Sequence, residues 1–252
     1  MNVLKRRALL LVLLVIALFG LTILGASAAT DAPQGVLESA KDPSTTYVAS
    51  ATVTVGSDTA TYYYTSLAAA VADADAGTTV TVLANTETGA ITIDKSLKIV
   101  GSAGITVTKT SGDYLFTVSN NAVVEFADIT FNTNAGFLTA SGTEGSVTLG
   151  SGTVVTGVAG GNYFFSITSA YTNGKIVMKS GSKLVITGYS GTKSVFYTSK
   201  ALGELNLMGD IEVGTAEAPL ALTEAPNGFF YIAAALPKIN FGGSFNCYTT
   251  RS

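Results

Sequence analysis

From Thr78 onward apolar and polar residues alternate with period two, in short runs broken by Gly, Asn, Ser or Asp. Such alternation predicts strands with one buried face. The runs recur in a fixed order. Val124-x-Phe126 leads to Ile129-x-Phe131, Ile176-x-Met178 to Leu184-x-Ile186, Leu205-x-Leu207 to Ile211-x-Val213, and Ile239-x-Phe241 to Phe245-x-Cys247. Val147-x-Leu149 with Val154–Val155 belongs to the series, and Ile91-x-Ile93 with Leu97-x-Ile99 opens it. The intervening Glu125, Asp128, Lys175, Lys183, Asn206, Asp210, Glu212 and Asn240 fall on the solvent face, because a slip of one residue would bury their polar groups.

An aromatic cluster precedes each later pair: Leu115-Phe116, Phe137-Leu138, Phe164-Phe165, Val195-Phe196-Tyr197 and Phe229-Phe230-Tyr231. From Phe116 through Phe137, Phe164 and Phe196 to Phe230 the steps are 21, 27, 32 and 34 residues. Each unit therefore holds three strands, one aromatic and two aliphatic. One such unit cannot bury its apolar face alone, so recurrence at this period predicts a solenoid. The uneven steps place insertions such as residues 215–225 in loops. Ser119-Asn120-Asn121, Gly160-Gly161-Asn162, Asn173-Gly174 and Asn227-Gly228 suit corners that need a positive φ. The predicted fold is all-β, a single-stranded parallel β-helix over residues 78–252 with about six rungs. A β-sandwich, also made of short alternating strands, is the alternative.

Residues 47–77 read as an N-terminal hairpin and a short capping helix. Val48–Val55 and Thr59–Tyr64 flank a turn at Gly56-Ser57-Asp58, Ser66 is a helix cap, Leu67, Val71 and Ala74 share a face, and Gly77 is a stop. Residues 29–46 lack apolar periodicity and read as a linker. Residues 1–28 read as a signal peptide: Lys5, Arg6 and Arg7, an apolar run over Ala8–Gly25, and Ala26-Ser27-Ala28 as the A-x-A site, with cleavage after Ala28. The alternative is an uncleaved membrane anchor, because the apolar run approaches the length of a bilayer span. Either way the protein is expected outside the cell or on its surface.

Of 252 residues 47% are hydrophobic and 12% charged, which excludes a mostly disordered chain. Loss of the three basic residues with the leader takes the net charge from −3 to −6, which excludes a nucleic-acid partner. With no His and one Cys there is no basis for zinc, a nucleophilic triad or an internal disulfide, and no cofactor is expected. Cys247, in phase with Phe245, reads as a small buried hydrophobe. Asp73 and Asp75 oppose the helix dipole, but no Ca²⁺-loop motif or G-G-x-G-x-D repeat accompanies them, so no metal site is expected.

Residues 52–99 carry a resemblance. The hairpin into Tyr62-Tyr63-Tyr64, the Ala-rich helix Ala68–Ala76, the strand after Gly77, and Ile91-Thr92-Ile93 followed by Leu97-Lys98-Ile99 resemble the opening of right-handed parallel β-helix domains with the pectate-lyase-like fold. Such openings are common in exported, adhesin-like surface proteins of bacteria and archaea. The resemblance implies that the helix plugs the N-terminal end of the solenoid. It also implies an adhesin-like or stalk region of a cell-surface protein, with glycans or surface proteins as partners. Domains of this kind continue for further rungs, so the stop at Tyr248–Ser252 reads as truncation, leaving an uncapped rung open to end-to-end association.

The same fold houses polysaccharide lyases and glycoside hydrolases, so an enzyme reading must be tested on residues. Lyases of this fold use Arg or Lys beside acidic clusters. The only Arg after the leader is Arg251, and Lys175, Lys179 and Lys183 sit in a segment without carboxylates. Hydrolases need paired carboxylates, for which Glu125 with Asp128 and Asp210 with Glu212 are the candidates. Outward residues two apart on a strand lie about 7 Å apart, within the range inverting glycosidases use. No third acid or aromatic platform accompanies either pair, so the expectation is no catalytic residue, with these four as the alternative. Tyr63, Tyr171 and Tyr189 are candidates for exposed aromatics that stack on sugar rings, with a turn or packing role as the equal alternative for each.

Overall fold

The computed structural model describes residues 32–251, except 103, 135, 160, 168, 170, 190–191, 223–228 and 234–236. The proposed signal peptide lies outside the described residues. By internal contacts the chain divides into Met1–Ala32 and Pro33–Ser252, and the described strands and helix lie in the second unit.

After the helix the chain winds through three parallel sheets in turn. The first contains Thr79–Val82, Leu97–Val100, Val123–Ala127, Ser146–Leu149, Tyr171–Met178, Leu202–Leu207 and Lys238–Phe241. The second contains Thr86–Thr88, Thr106–Lys109, Thr130–Thr133, Val154–Ala159, Lys183–Tyr189, Asp210–Val213 and Phe245–Cys247. The third contains Ile91–Ile93, Tyr114–Val118, Gly136–Ala140, Phe165–Ile167, Phe196–Thr198 and Phe230–Ile232. Each strand pairs with its counterpart one coil away, so this is an all-β parallel solenoid and not a sandwich. The paired runs in the sequence are two faces of one coil meeting at a corner. Ile91–Ile93 does not open that series but begins the third sheet. The strand Thr86–Thr88, Thr-Glu-Thr, is too polar to announce itself by alternation.

Register places like on like. Leu97, Val124, Val147, Ile176, Leu205 and Ile239 form one inward column of the first sheet. Val107, Phe131, Val155, Leu184, Ile211 and Phe245 form one in the second. In the third, Ile91, Phe116, Leu138, Phe165, Phe196 and Phe230 follow one another. Where the three sheets converge, Phe116, Phe126, Phe131 and Phe137 close on each other. Their ring centroids are 4.7 Å apart for Phe116 and Phe126, 5.1 Å for Phe126 and Phe131, and 5.4 Å for Phe131 and Phe137. All four are fully buried.

The N-terminal end is closed by local structure that the sequence explains. The hairpin Ala49–Val55 and Asp58–Tyr64 continues the first sheet, with Ala49–Ala51 antiparallel to Val80–Val82. The helix Leu67–Asp73 starts where the Ser66 side chain accepts from the Ala69 backbone N–H at 3.4 Å. It buries Leu67, Ala70 and Val71 against the hairpin and the first strand of the third sheet. Lys95 donates to the Ala72 carbonyl at 2.5 Å, placing a cation near the helix C-terminus, where Asp73 and Asp75 oppose the dipole. The segment read as a linker docks here too: Val36–Leu37 pairs with Tyr62–Tyr63, and the Gln34 N–H reaches Asp73 Oδ2 at 2.6 Å.

Among the described residues one charged side chain is buried. Lys109, at the end of its second-sheet strand, is only 4% exposed. Burial holds its ammonium below the usual lysine range, against the pull of Asp113. The folded state therefore favours the neutral amine. Stability is lowest at pH values below the depressed pKa and rises as pH climbs from there toward the ordinary lysine value. Lys109→Met is expected to raise Tm by about 2–4 °C at neutral pH and to flatten this rise, read by thermal melts across pH. Phe131→Ala is expected to cost about 3–5 kcal/mol in urea unfolding.

Candidate functional site

Of the three parallel sheets, only the first two carry charged residues on their strands. Glu125 lies in register with Lys98 and meets Lys98 Nζ at 3.6 Å and Lys179 Nζ at 3.1 Å. Glu204 pairs with Lys175 at 3.5 Å and accepts from Asn240 at 2.9 Å. Glu212 pairs with Lys183 at 2.5 Å. Lys175, Lys179 and Lys183 therefore do have carboxylate partners, supplied by other coils and invisible to a local reading of sequence. These part-exposed pairs are each worth about 0–1 kcal/mol, so they fix side chains more than they stabilise the fold.

Of the two proposed acid pairs, Glu125 and Asp128 do not share a strand, whereas Asp210 and Glu212 lie two apart on the outward face of one strand, as expected, with each carboxylate engaged by another residue. Asp128 is not on the strand of Glu125 but past its end, at the corner between the first and second sheets with φ 52°. Gly152 and Gly181, with φ 73° and 82°, take the corresponding corner in the following coils. Asp210 accepts from the Ser244 N–H at 3.0 Å and from its hydroxyl at 2.6 Å. Those bonds hold its carboxyl below the usual range, the opposite of what a general acid needs. Glu212, on the same strand, is occupied by Lys183. Asp73 takes the Gln34 N–H, and Asp75 takes the Thr54 hydroxyl at 2.6 Å. Among the described residues no three of His, Cys, Asp and Glu converge. Cys247 is exposed rather than buried, because the inward positions of the last described coil are open.

The three candidate tyrosines take the packing or turn alternative. Tyr171 is fully buried, and burial pushes its phenol up to about 12. Tyr189 donates to the Lys193 carbonyl, and burial likewise raises its phenol to about 12. Tyr63 has the Lys41 ammonium 4.1 Å from its ring centroid and Tyr47 edge-on at 6.2 Å. None of the three is an open platform.

The aromatic surface lies on the third sheet instead. Its outward column runs Thr92, Thr117, Thr139, Ser166, Tyr197, Tyr231 in unbroken register. All six carry a hydroxyl and none a charge, but Ser166 is buried and its hydroxyl does not reach the surface. Tyr163, just before Phe165–Ile167, stacks on Tyr197 with centroids 3.8 Å apart and planes 9° off parallel. Tyr197 stacks on Tyr231 at 5.6 Å and 14°. Lys193 sits 5.0 Å from the Tyr163 ring centroid. Tyr114 donates to Asn162 Oδ1 at 3.1 Å. Its ring passes over Gly136 of the next coil, where a Cβ would fall 2.4 Å from a ring carbon. Burial raises the Tyr114 phenol, partly offset by the Ser166 hydroxyl beside it. Tyr163 and Tyr197 are half-buried and Tyr231 is 43% exposed.

This column is within reach of the sequence. In Phe196-Tyr197 and Phe230-Tyr231 each tyrosine follows an inward phenylalanine, so period two alone sends both outward onto one line. Reading the clusters as buried strands hides it. Tyr163 gives no comparable signal, since it lies before its strand. No family model, curated protein or solved structure matches the chain.

Because the chain has no Trp, its near-UV circular dichroism reports on tyrosine. Tyr197→Ala is expected to abolish the signal of the stacked rings while leaving the far-UV spectrum intact, and an unchanged near-UV spectrum would refute the stack. Gly136→Ala is expected to displace Tyr114 and to cost about 1–3 kcal/mol in urea unfolding.

Proposed function

We propose that this is an exported, non-catalytic β-solenoid of the right-handed, pectate-lyase-like type. It acts at the cell surface as an adhesin-like or stalk region that contacts glycans or surface proteins. The observation that carries this reading is a contrast between two sets of side chains. The carboxylates a hydrolase would need are held by lysines or by Ser244, or stand apart at a corner, whereas the hydroxyl and tyrosine column stays uncharged and outward. Export is supported by the basic start, apolar run and A-x-A site of residues 1–28.

Three measurements test the reading. The mature protein is expected to begin at Ala29 by N-terminal sequencing, and to be cut by protease added to intact cells. Incubated with neutral and acidic polysaccharides, it is expected to release neither reducing ends nor unsaturated uronides, and Glu125→Gln to behave as the parent. Product release abolished by Glu125→Gln would instead establish an enzyme.

A further inference from the structure

We propose that the outward column of the third sheet binds an uncharged polysaccharide laid along the solenoid axis, from Thr92 to Tyr231. This rests on the surface-protein reading above and assigns its ligand class and face. Apart from Ser166, which is buried, the column offers one hydroxyl per coil, at the strand spacing of about 4.8 Å or a multiple of it, which suits a polymer of sugar rings better than a small ligand. At the tyrosine end the phenol oxygens of Tyr163, Tyr197 and Tyr231 have no hydrogen-bond partner among the described residues. Each can donate one hydrogen bond and accept others, as sugar hydroxyls can in return.

Stacking also fixes how contact is made. Tyr163 and Tyr197 face each other at 3.8 Å, so their ring edges and hydroxyls, not their shared faces, meet a ligand. The rings reach the site already ordered, which spares the side-chain entropy that binding otherwise costs. Charge argues for a neutral polymer. No column residue is ionised, and the flanking Lys193 and Asp113 are of opposite sign. Lys193 lies against the Tyr163 ring, and the chain as a whole is acidic, which disfavours polyanions.

The test is affinity electrophoresis of the full chain through gels containing galactomannan, mixed-linkage β-glucan or starch, beside gels with alginate or polygalacturonate. Retardation by at least one neutral polymer, little changed by added salt, is the expected result. The double variant Tyr197→Phe/Tyr231→Phe keeps the stacked rings and is expected to weaken retention about tenfold with an unchanged Tm. Thr148→Val, outward on the first sheet, is expected to leave retention intact. Retention on acidic polymers alone, or full retention by the double variant, overturns the inference. No retention on any polymer overturns it as well; if protease still reaches the protein on intact cells, the surface-protein reading stands without it.

Discussion

Main-chain hydrogen bonding between coils sets the terms for everything else in this molecule. Each parallel strand from Thr79 onward bonds to the strand one coil away, which fixes the repeat at about 4.8 Å. A side chain must then fit directly upon its counterpart. Aliphatic residues meet this easily, as in the column from Leu97 to Ile239. Aromatic rings have fewer solutions. Phe165 and Phe196 lie 4.6 Å apart and 8° off parallel, close to the repeat itself. Phe116, Phe126 and Phe131 come from three sheets and cannot share a plane, so Phe116 and Phe126 each meet Phe131 edge to face.

That constraint explains which parts of the fold are legible in the sequence. Three strands per unit, the Ser66 cap, the Gly56 turn and the inward columns all follow from residues a few positions apart. The features that escape a sequence reading involve residues a full coil apart or strands with no apolar contrast. Thr86–Thr88 escapes because its side chains are all polar. The partners of Lys175, Lys179 and Lys183 escape because register, not proximity in sequence, brings carboxylates to them. Sequence leaves Tyr171 open between surface and packing for a related reason: its strand shifts register between Tyr171 and Lys175, so period two cannot be carried back to it from Ile176 and Met178.

The same register separates the roles of the outward surface. On the first two sheets opposite charges stand near one another and satisfy each other within the protein. On the third sheet the column is hydroxyl-bearing throughout, and no neighbour among the described residues satisfies the phenol oxygens at its tyrosine end. Asp128 shows how little spacing alone decides. Three residues after Glu125, it belongs to the corner and serves the turn, in the left-handed conformation that glycine takes in the next coils.

Stacking in one dimension has a mechanical side. Since each coil is held chiefly by the coils on either side, tension applied along the chain would peel coils off singly rather than rupture the whole core at once. The length of chain released would differ between events, being shorter for the coil from Val124 to Val147 than for the one from Leu205 to Ile239. A solenoid built in this way yields by degrees and dissipates load at each step, and the coils still stacked keep their surface columns in place.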